Sequence, residues 1–232
     1  MSKISKVTLT EFQFSVNDIG LEQAAAGVGN TAYVKGSTFP AKRFTIRIET
    51  GDGATGEYVT HWVGTPASFA QAQMLAPMLI RRAPDHREQI YDDLKRELRA
   101  YDHTGHGPLD IALWDLCGKL NNVSVKSMLG GYRGTLPTYA STYHGQEPEG
   151  GLCTPEAFAD FAEQCKSEGF HGFKIHGWND GNVTREVENL LGVRKRVGDG
   201  WRLMIDPACQ LRTWTDALTV GRACDEANYF WL

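Results

Sequence analysis

Phe170-His171-Gly172-Phe173-Lys174-Ile175-His176 is the segment on which the fold turns. It alternates polar and apolar residues and lies between Gly169 and Gly177. Side chains of a strand point to opposite faces in turn, so Gly172, Lys174 and His176 share one face and Phe173 and Ile175 the other. Ahead of it, Thr154-Pro155-Glu156 opens a stretch with Phe158, Phe161, Ala162 and Cys165 at the i, i+3, i+4, i+7 spacing of an amphipathic helix, closed by Gly169. After it come a helix over 183–197, with Val187, Leu190 and Leu191 turned inward, a strand over 202–206, a helix over 213–227 and the start of a strand at 229–232. A further strand is expected over 136–142. Strand starts at Pro137, Phe170, Arg202 and Tyr229 recur about every 30 residues, the period of a parallel βα architecture. That pattern allows either a barrel or an open doubly wound sheet. Three helices and barely four strands do not close an eight-stranded barrel.

Upstream the pattern differs. Residues 6–16 and 43–50 alternate with period two, and Gly51-Asp52-Gly53 supplies a tight turn into 54–59, which together predict an antiparallel meander. Between them, 20–40 is rich in Gly, Ala and Thr and reads as a long loop. Thr65-Pro66 is an N-cap followed by proline at the first helical position, and further helices are expected over 84–100 and 107–120. Strands first and helices afterwards make an α+β unit, ending near Gly130-Gly131.

Composition narrows the function. Of the 232 residues 41% are hydrophobic and 22% charged, as in an ordinary globular protein. A net charge of -4 without a Lys/Arg run argues against nucleic acid. Cys117, Cys153, Cys165, Cys209 and Cys224 form no C-x-x-C pair, so neither a disulfide framework nor a structural zinc site is expected. The N-terminus lacks the apolar core of a signal peptide, and 74–80 is too short to span a membrane. A soluble cytoplasmic protein is the expectation.

Lys174 and His176 share a face at the carboxyl end of their strand, where barrel active sites lie. The plainer reading is a strand-end Lys and His facing solvent. Asp206 ends the next strand at the equivalent place, although an Asp before Pro207 is also a common turn residue. Three ionisable groups at matching positions on neighbouring strands favour a site.

The run Gly107-Pro108-Leu109-Asp110-Ile111-Ala112-Leu113-Trp114-Asp115-Leu116-Cys117-Gly118-Lys119, followed by Leu129-Gly130-Gly131, resembles the helix and linker that lead into the barrel of mandelate racemase and muconate lactonizing enzymes of the enolase superfamily. Glu49-Thr50-Gly51-Asp52-Gly53 through Gly56-Glu57 resembles the hairpin of that family's capping domain. The resemblance implies an α+β capping domain over 1–133 and an incomplete α/β (TIM-type) barrel over 134–232. It also implies Mg²⁺ as cofactor and removal of a proton next to a carboxylate. Asp206 resembles the first of three acidic metal ligands. Lys174 and His176 resemble a strand pair that commonly reads Lys-x-Lys, with histidine here in place of the second lysine. Histidine titrates near 6.5 and needs little tuning as a base, whereas lysine near 10.4 must be depressed. His176 is the candidate base, and Lys174 the group for the substrate carboxylate or enediolate oxygen. Ala208 stands where many members carry Asn. The two capping loops correspond to 20–40 and 59–64, the latter with His61 and Trp62. Ser141, Tyr143, His144 and Trp178 follow the first two strands as candidate substrate contacts, each with a surface-loop alternative.

Two motifs lead elsewhere. Gly27-Val28-Gly29-Asn30-Thr31-Ala32 fits a dinucleotide fingerprint, but the residues after it suit a loop rather than the required helix. His103-x-x-His106 has metal-pair spacing, but Gly105 and Gly107 favour a loop there. The chain ends at Phe230-Trp231-Leu232, one step short of the family's second acidic ligand, which suggests a truncated, split or partial protein. The expected function of the complete enzyme is dehydration of a sugar acid, a lyase reaction, by a homo-oligomer acting on a small carboxylate away from membranes and nucleic acid. The alternatives are a racemase or epimerase sharing the first step, and a non-catalytic fragment.

Overall fold

The computed structural model describes residues 2–23, 29–61, 66–145 and 151–232. Trp62, the Thr65 cap and Gly27-Val28 of the glycine run lie outside the described residues. Contacts divide the chain into two compact units, Met1–Phe14 with Pro40–Gly134, and Ser15–Phe39 with Thr135–Leu232.

β1 (Ile4–Gln23), β2 (Gly29–Thr50) and β3 (Thr55–Val59) form a sheet in that order, of which residues 4–14 and 40–59 belong to the first unit. β2 and β3 are antiparallel, with Thr45 opposite Val59 and Glu49 opposite Thr55. Period-two alternation buries Phe44, Ile46 and Ile48 on one face. They pack in one core with Leu75 of α1 (Pro66–Leu75), Ile90 and Leu94 of α2 (Arg87–Glu97), and Leu109, Leu113 and Leu116 of α3 (His106–Asn121). Each such side chain contributes about 1.5–3 kcal/mol on burial. α3 reaches β3 closely because residue 56 is glycine: a Cβ there would overlap the Ala112 carbonyl and the Leu116 side chain. Ser124 caps the short α4 (Val125–Met128), and Gly130 and Gly131, at φ 96° and 61°, turn the chain out of the unit.

In the second unit, β4 (Ala140–Ser141) is followed by α5 (Pro155–Ser167), β5 (Gly172–Ile175), α6 (Val183–Val197), β6 (Arg202–Ile205) and α7 (Trp214–Glu226). The strands form a parallel sheet in the order β4-β5-β6. Phe173 pairs with Leu203 and Ile175 with Ile205; all four are fully buried with Phe158, Ala162, Leu190, Val193 and Val220 from the helices. Thr154, Asn182 and Thr213 each accept a backbone N–H at the helix start, and Thr213 and Asp216 complete a capping box. At the chain end Phe230 N–H donates to the Leu203 carbonyl at 2.7 Å and Trp231 bridges Met204 in parallel, as a fourth strand begins.

The structure revises several expectations. The stretch 20–40, read as a loop, belongs to β1 up to Gln23 and to β2 from Gly29. Thr31, Tyr33, Val34 and Thr38 are strand formers whose backbone groups need partners, and Ala32 is fully buried beside His144 through a parallel bridge. Among the described residues there is one local irregularity of note: Asp18 and Gly36 both have positive φ, and Gly36 N–H donates to Asp18 Oδ1 at 2.7 Å. The strand expected over 136–142 shortens to Ala140–Ser141, because Pro137 lacks an N–H to pair and Leu136 stays exposed. The helix expected from Pro84 begins at Arg87. His106, expected in a loop, opens α3 and is buried with its ring 4.4 Å from that of Tyr91. All five cysteines are free. Among the described residues no helix is long and apolar enough to cross a membrane.

Candidate active site

Register brings three side chains together at the carboxyl ends of β5 and β6. Lys174 pairs with Met204 and Ile175 with Ile205, and Asp206 N–H donates to the Ile175 carbonyl at 2.9 Å, which sets Asp206 beside His176. Lys174 Nζ donates to Asp206 Oδ2 at 3.0 Å. His176 Nε2 lies 3.3 Å from Lys174 Nζ and 3.2 Å from the same carboxylate oxygen. The Lys174 and His176 side chains are 13% and 19% exposed and that of Asp206 40%, so the triangle opens on its carboxylate side.

The far side of the imidazole is held by Thr142. The ring Nδ1 is 2.6 Å from the Thr142 carbonyl oxygen, and the His176 backbone N–H donates to Thr142 Oγ1 at 3.1 Å. A carbonyl oxygen only accepts, so Nδ1 carries the ring proton and Nε2 of the neutral ring offers its lone pair toward the triangle. Burial drives the His176 pKa below its ordinary value and the Lys174 ammonium lowers it further, against the Thr142 carbonyl and Asp206. A neutral imidazole at neutral pH follows. Burial alone would raise the Asp206 carboxyl, but the hydrogen bond from Lys174, His176 and the Ala208 N–H hold it below the usual carboxylate value. His144, whose ring is 5.3 Å from that of His176, is pushed down to about 4, first by burial and then by His176, so it adds no charge beside that ring.

The other residues singled out from the sequence separate into groups. Ser141 pairs with Lys174 in register and is exposed. Tyr143 is 39% exposed, with its ring edge-on to Tyr33 at 5.7 Å. His144 is buried on the opposite side of the alternation from these two. Trp178 does not reach the open side. Gly177, at φ 35°, breaks the strand alternation and turns the indole into the core, 5.0 Å from the Phe158 ring. His61 is exposed after β3 in the first unit. Thr142 was missed, since nothing in an alternating pattern marks a residue whose carbonyl and hydroxyl both serve one histidine.

A divalent metal has one carboxylate available here. Asp206 Oδ2 is bonded to Lys174 and Oδ1 accepts the Ala208 N–H at 3.1 Å. Among the described residues no group of three or more His, Cys, Asp or Glu converges to hold an ion. Magnesium requires about six oxygen ligands in octahedral array, so these residues alone do not fit it.

Two family models cover most of the chain: the mandelate racemase / muconate lactonizing enzyme N-terminal domain matches residues 23–130, and the enolase C-terminal domain-like model matches residues 157–232. The chain belongs to the enolase superfamily, in its mandelate racemase and muconate lactonizing enzyme branch. A crystal structure of D-glucarate dehydratase from Agrobacterium tumefaciens complexed with magnesium superposes with a TM-score of 0.82 at 28% identity, over 99% of this chain and 60% of that one. The 3,6-anhydro-alpha-L-galactonate cycloisomerase of Streptomyces coelicolor is 26% identical over 85% of this chain and 55% of its own length. The L-talarate/galactarate dehydratase of Salmonella typhimurium is 25% identical over 81% of this chain and 46% of its own. Racemases and epimerases are also among the relatives. The chain spans about half the length of these curated relatives.

Proposed function

We propose that this chain carries the proton-abstracting half of an enolase-superfamily active site, and that the whole protein dehydrates a sugar acid. The observation that carries the reading is His176, anchored through Nδ1 with Nε2 turned toward the Lys174 ammonium and the Asp206 carboxylate. In this scheme Nε2 takes the proton from the carbon next to the substrate carboxylate, and the C–H electron pair enters an enediolate. Lys174 stands against the developing negative charge. The hydroxyl on the neighbouring carbon then leaves, and collapse of the enediolate forms the carbon–carbon double bond of an enol that becomes a keto acid. Ser141 and Tyr143 supply substrate contacts. Asp206 would be one of several ligands to Mg²⁺, an ion that this single carboxylate does not hold by itself. Residues 1–133 act as the capping domain and 134–232 as the opening of a TIM-type barrel, in a cytoplasmic homo-oligomer.

The test is to incubate the full-length protein and Mg²⁺ with a panel of sugar acids in deuterated water. Dehydration gives a 2-keto-3-deoxy acid and is the expected result. Deuterium entering the α position with inversion and no loss of water assigns a racemase or epimerase instead, a reading supported by the relatives of that class. No exchange with any substrate overturns both.

A further inference from the structure

Immediately after His176 the chain makes a turn whose backbone is bonded from two sides. On one side, Gly145 N–H donates to the Gly177 carbonyl at 2.6 Å. On the other, Glu186, in the first turn of α6, accepts the Trp178 backbone N–H on Oε1 at 2.7 Å. The Glu186 carboxylate fills the place a side chain at residue 177 would need: a Cβ on Gly177 would collide with both of its oxygens. Gly177 also has φ 35°, which favours glycine. Glu186 is 6% exposed, and its Oε2 has no hydrogen-bond partner among the described residues. Burial pushes this carboxyl up to about 7, against the Trp178 N–H and the Arg185 charge. An apolar side chain of similar size would avoid that desolvation, so the arrangement costs stability where it stands.

The rest of the helix start grips the same turn. The Arg185 guanidinium lies 4.3 Å from the centre of the Trp178 ring and bonds Asp180 Oδ2 at 2.6 Å. Asp180 Oδ1 in turn accepts the Asn182 N–H at 3.0 Å. The path from Glu186 to the base is two residues of backbone, and the His176 N–H at the other end is fixed on Thr142.

We infer that Glu186 is a positioning residue for His176: its carboxylate, received in the space left by Gly177, locks the turn that aims the imidazole at the reacting carbon. This rests on the role given to His176 above, but the tests below separate the two. Glu186→Leu keeps the volume and removes the acceptor. It is expected to lower turnover of α-proton exchange about 10–100-fold with KM within a few-fold, and to shift or broaden the His176 ring ¹⁵N signals. Glu186→Gln keeps an acceptor and is expected to stay within a few-fold of the native rate with native ring signals. Amide exchange of Trp178 in the native protein, expected to be strongly protected, gives a readout independent of whether Glu186→Leu folds. Native rate and ring signals in Glu186→Leu, a Gln variant as slow as the Leu variant, or an unprotected Trp178 amide would each overturn the inference. Loss of exchange in every protein including the native one, with the ring and amide readouts as expected, sinks only the reaction assigned to the site.

Discussion

On α3, His106 and Asp110 stand one helical turn apart; at the ends of β5 and β6, Lys174, His176 and Asp206 stand within 3.3 Å of one another. Both groups are partly or wholly buried, yet their ionisation differs. His106 Nε2 and Asp110 Oδ1 have no hydrogen-bond partner among the described residues. Burial pushes the histidine down and the carboxyl up, each toward its neutral form. Asp206 is instead held below its ordinary value by a direct ammonium partner and backbone N–H. On α3 burial outweighs the Arg87 charge and the Trp114 hydrogen bond on Asp110, whereas at the strand ends a direct ammonium partner outweighs burial and favours the ionised carboxylate.

The comparison can be broken most directly at His176. His176→Asn should lower α-proton exchange by about 10³-fold, because a positioned general base contributes about 10²–10⁴. Substrate affinity should change little; retained exchange removes His176 as the base. Lys174→Met should come next, with exchange reduced about 10²-fold. It also withdraws an ammonium that depresses the His176 pKa, so NMR titration should show that pKa rise. In the native protein the acid limb of the rate profile should fall below pH 6.5, with the rate rising as the imidazole deprotonates. The limb should move to higher pH in the Lys174 variant, and an unchanged limb would separate the two residues.

A smaller effect is expected in stability. Glu186 has a folded pKa raised from 4.5 to about 7, so the folded state holds its proton more tightly than the unfolded chain does. Its relative contribution is fully present below pH 4.5 and is lost as pH rises through 7, by about 3 kcal/mol. Glu186→Gln should therefore flatten the fall in Tm across that window, and parallel Tm curves for the two proteins would contradict the assignment. The smallest effect is predicted for Asp110→Asn. Because burial already raises that carboxyl and works against its charged form, stability should shift by no more than about 1 kcal/mol and exchange by less than about twofold. A larger loss of exchange would make the α3 pair part of the chemistry and erase the contrast.

Much of the second unit was legible because local rules and tertiary structure agree. The alternation in Phe173-Lys174-Ile175 matched a buried face and a polar one, and the Thr154, Asn182 and Thr213 caps mark the helix starts. The stretch 20–40 was misread because glycine and threonine content outweighed its strand-forming residues, whose pairing is decided by distant partners such as His144. Trp178 is buried in the structure. Its place just after the second strand made it a candidate contact, but one glycine with positive φ turns the indole into the core.

The sequence by itself determined the order of strands and helices, the shared face of Lys174 and His176, and the matching position of Asp206. Periodicity of side chains is a local property, and it survives folding. Only the tertiary structure decided which ring nitrogen of His176 accepts a proton, because that depends on the Thr142 carbonyl, just past the end of β4. It also decided that Glu186 belongs with the base, since a carboxylate eight residues beyond Trp178 returns to its N–H only when α6 packs against the turn. Hydrogen bonds between segments distant in sequence carry no periodic signal, and they set the chemistry of this site.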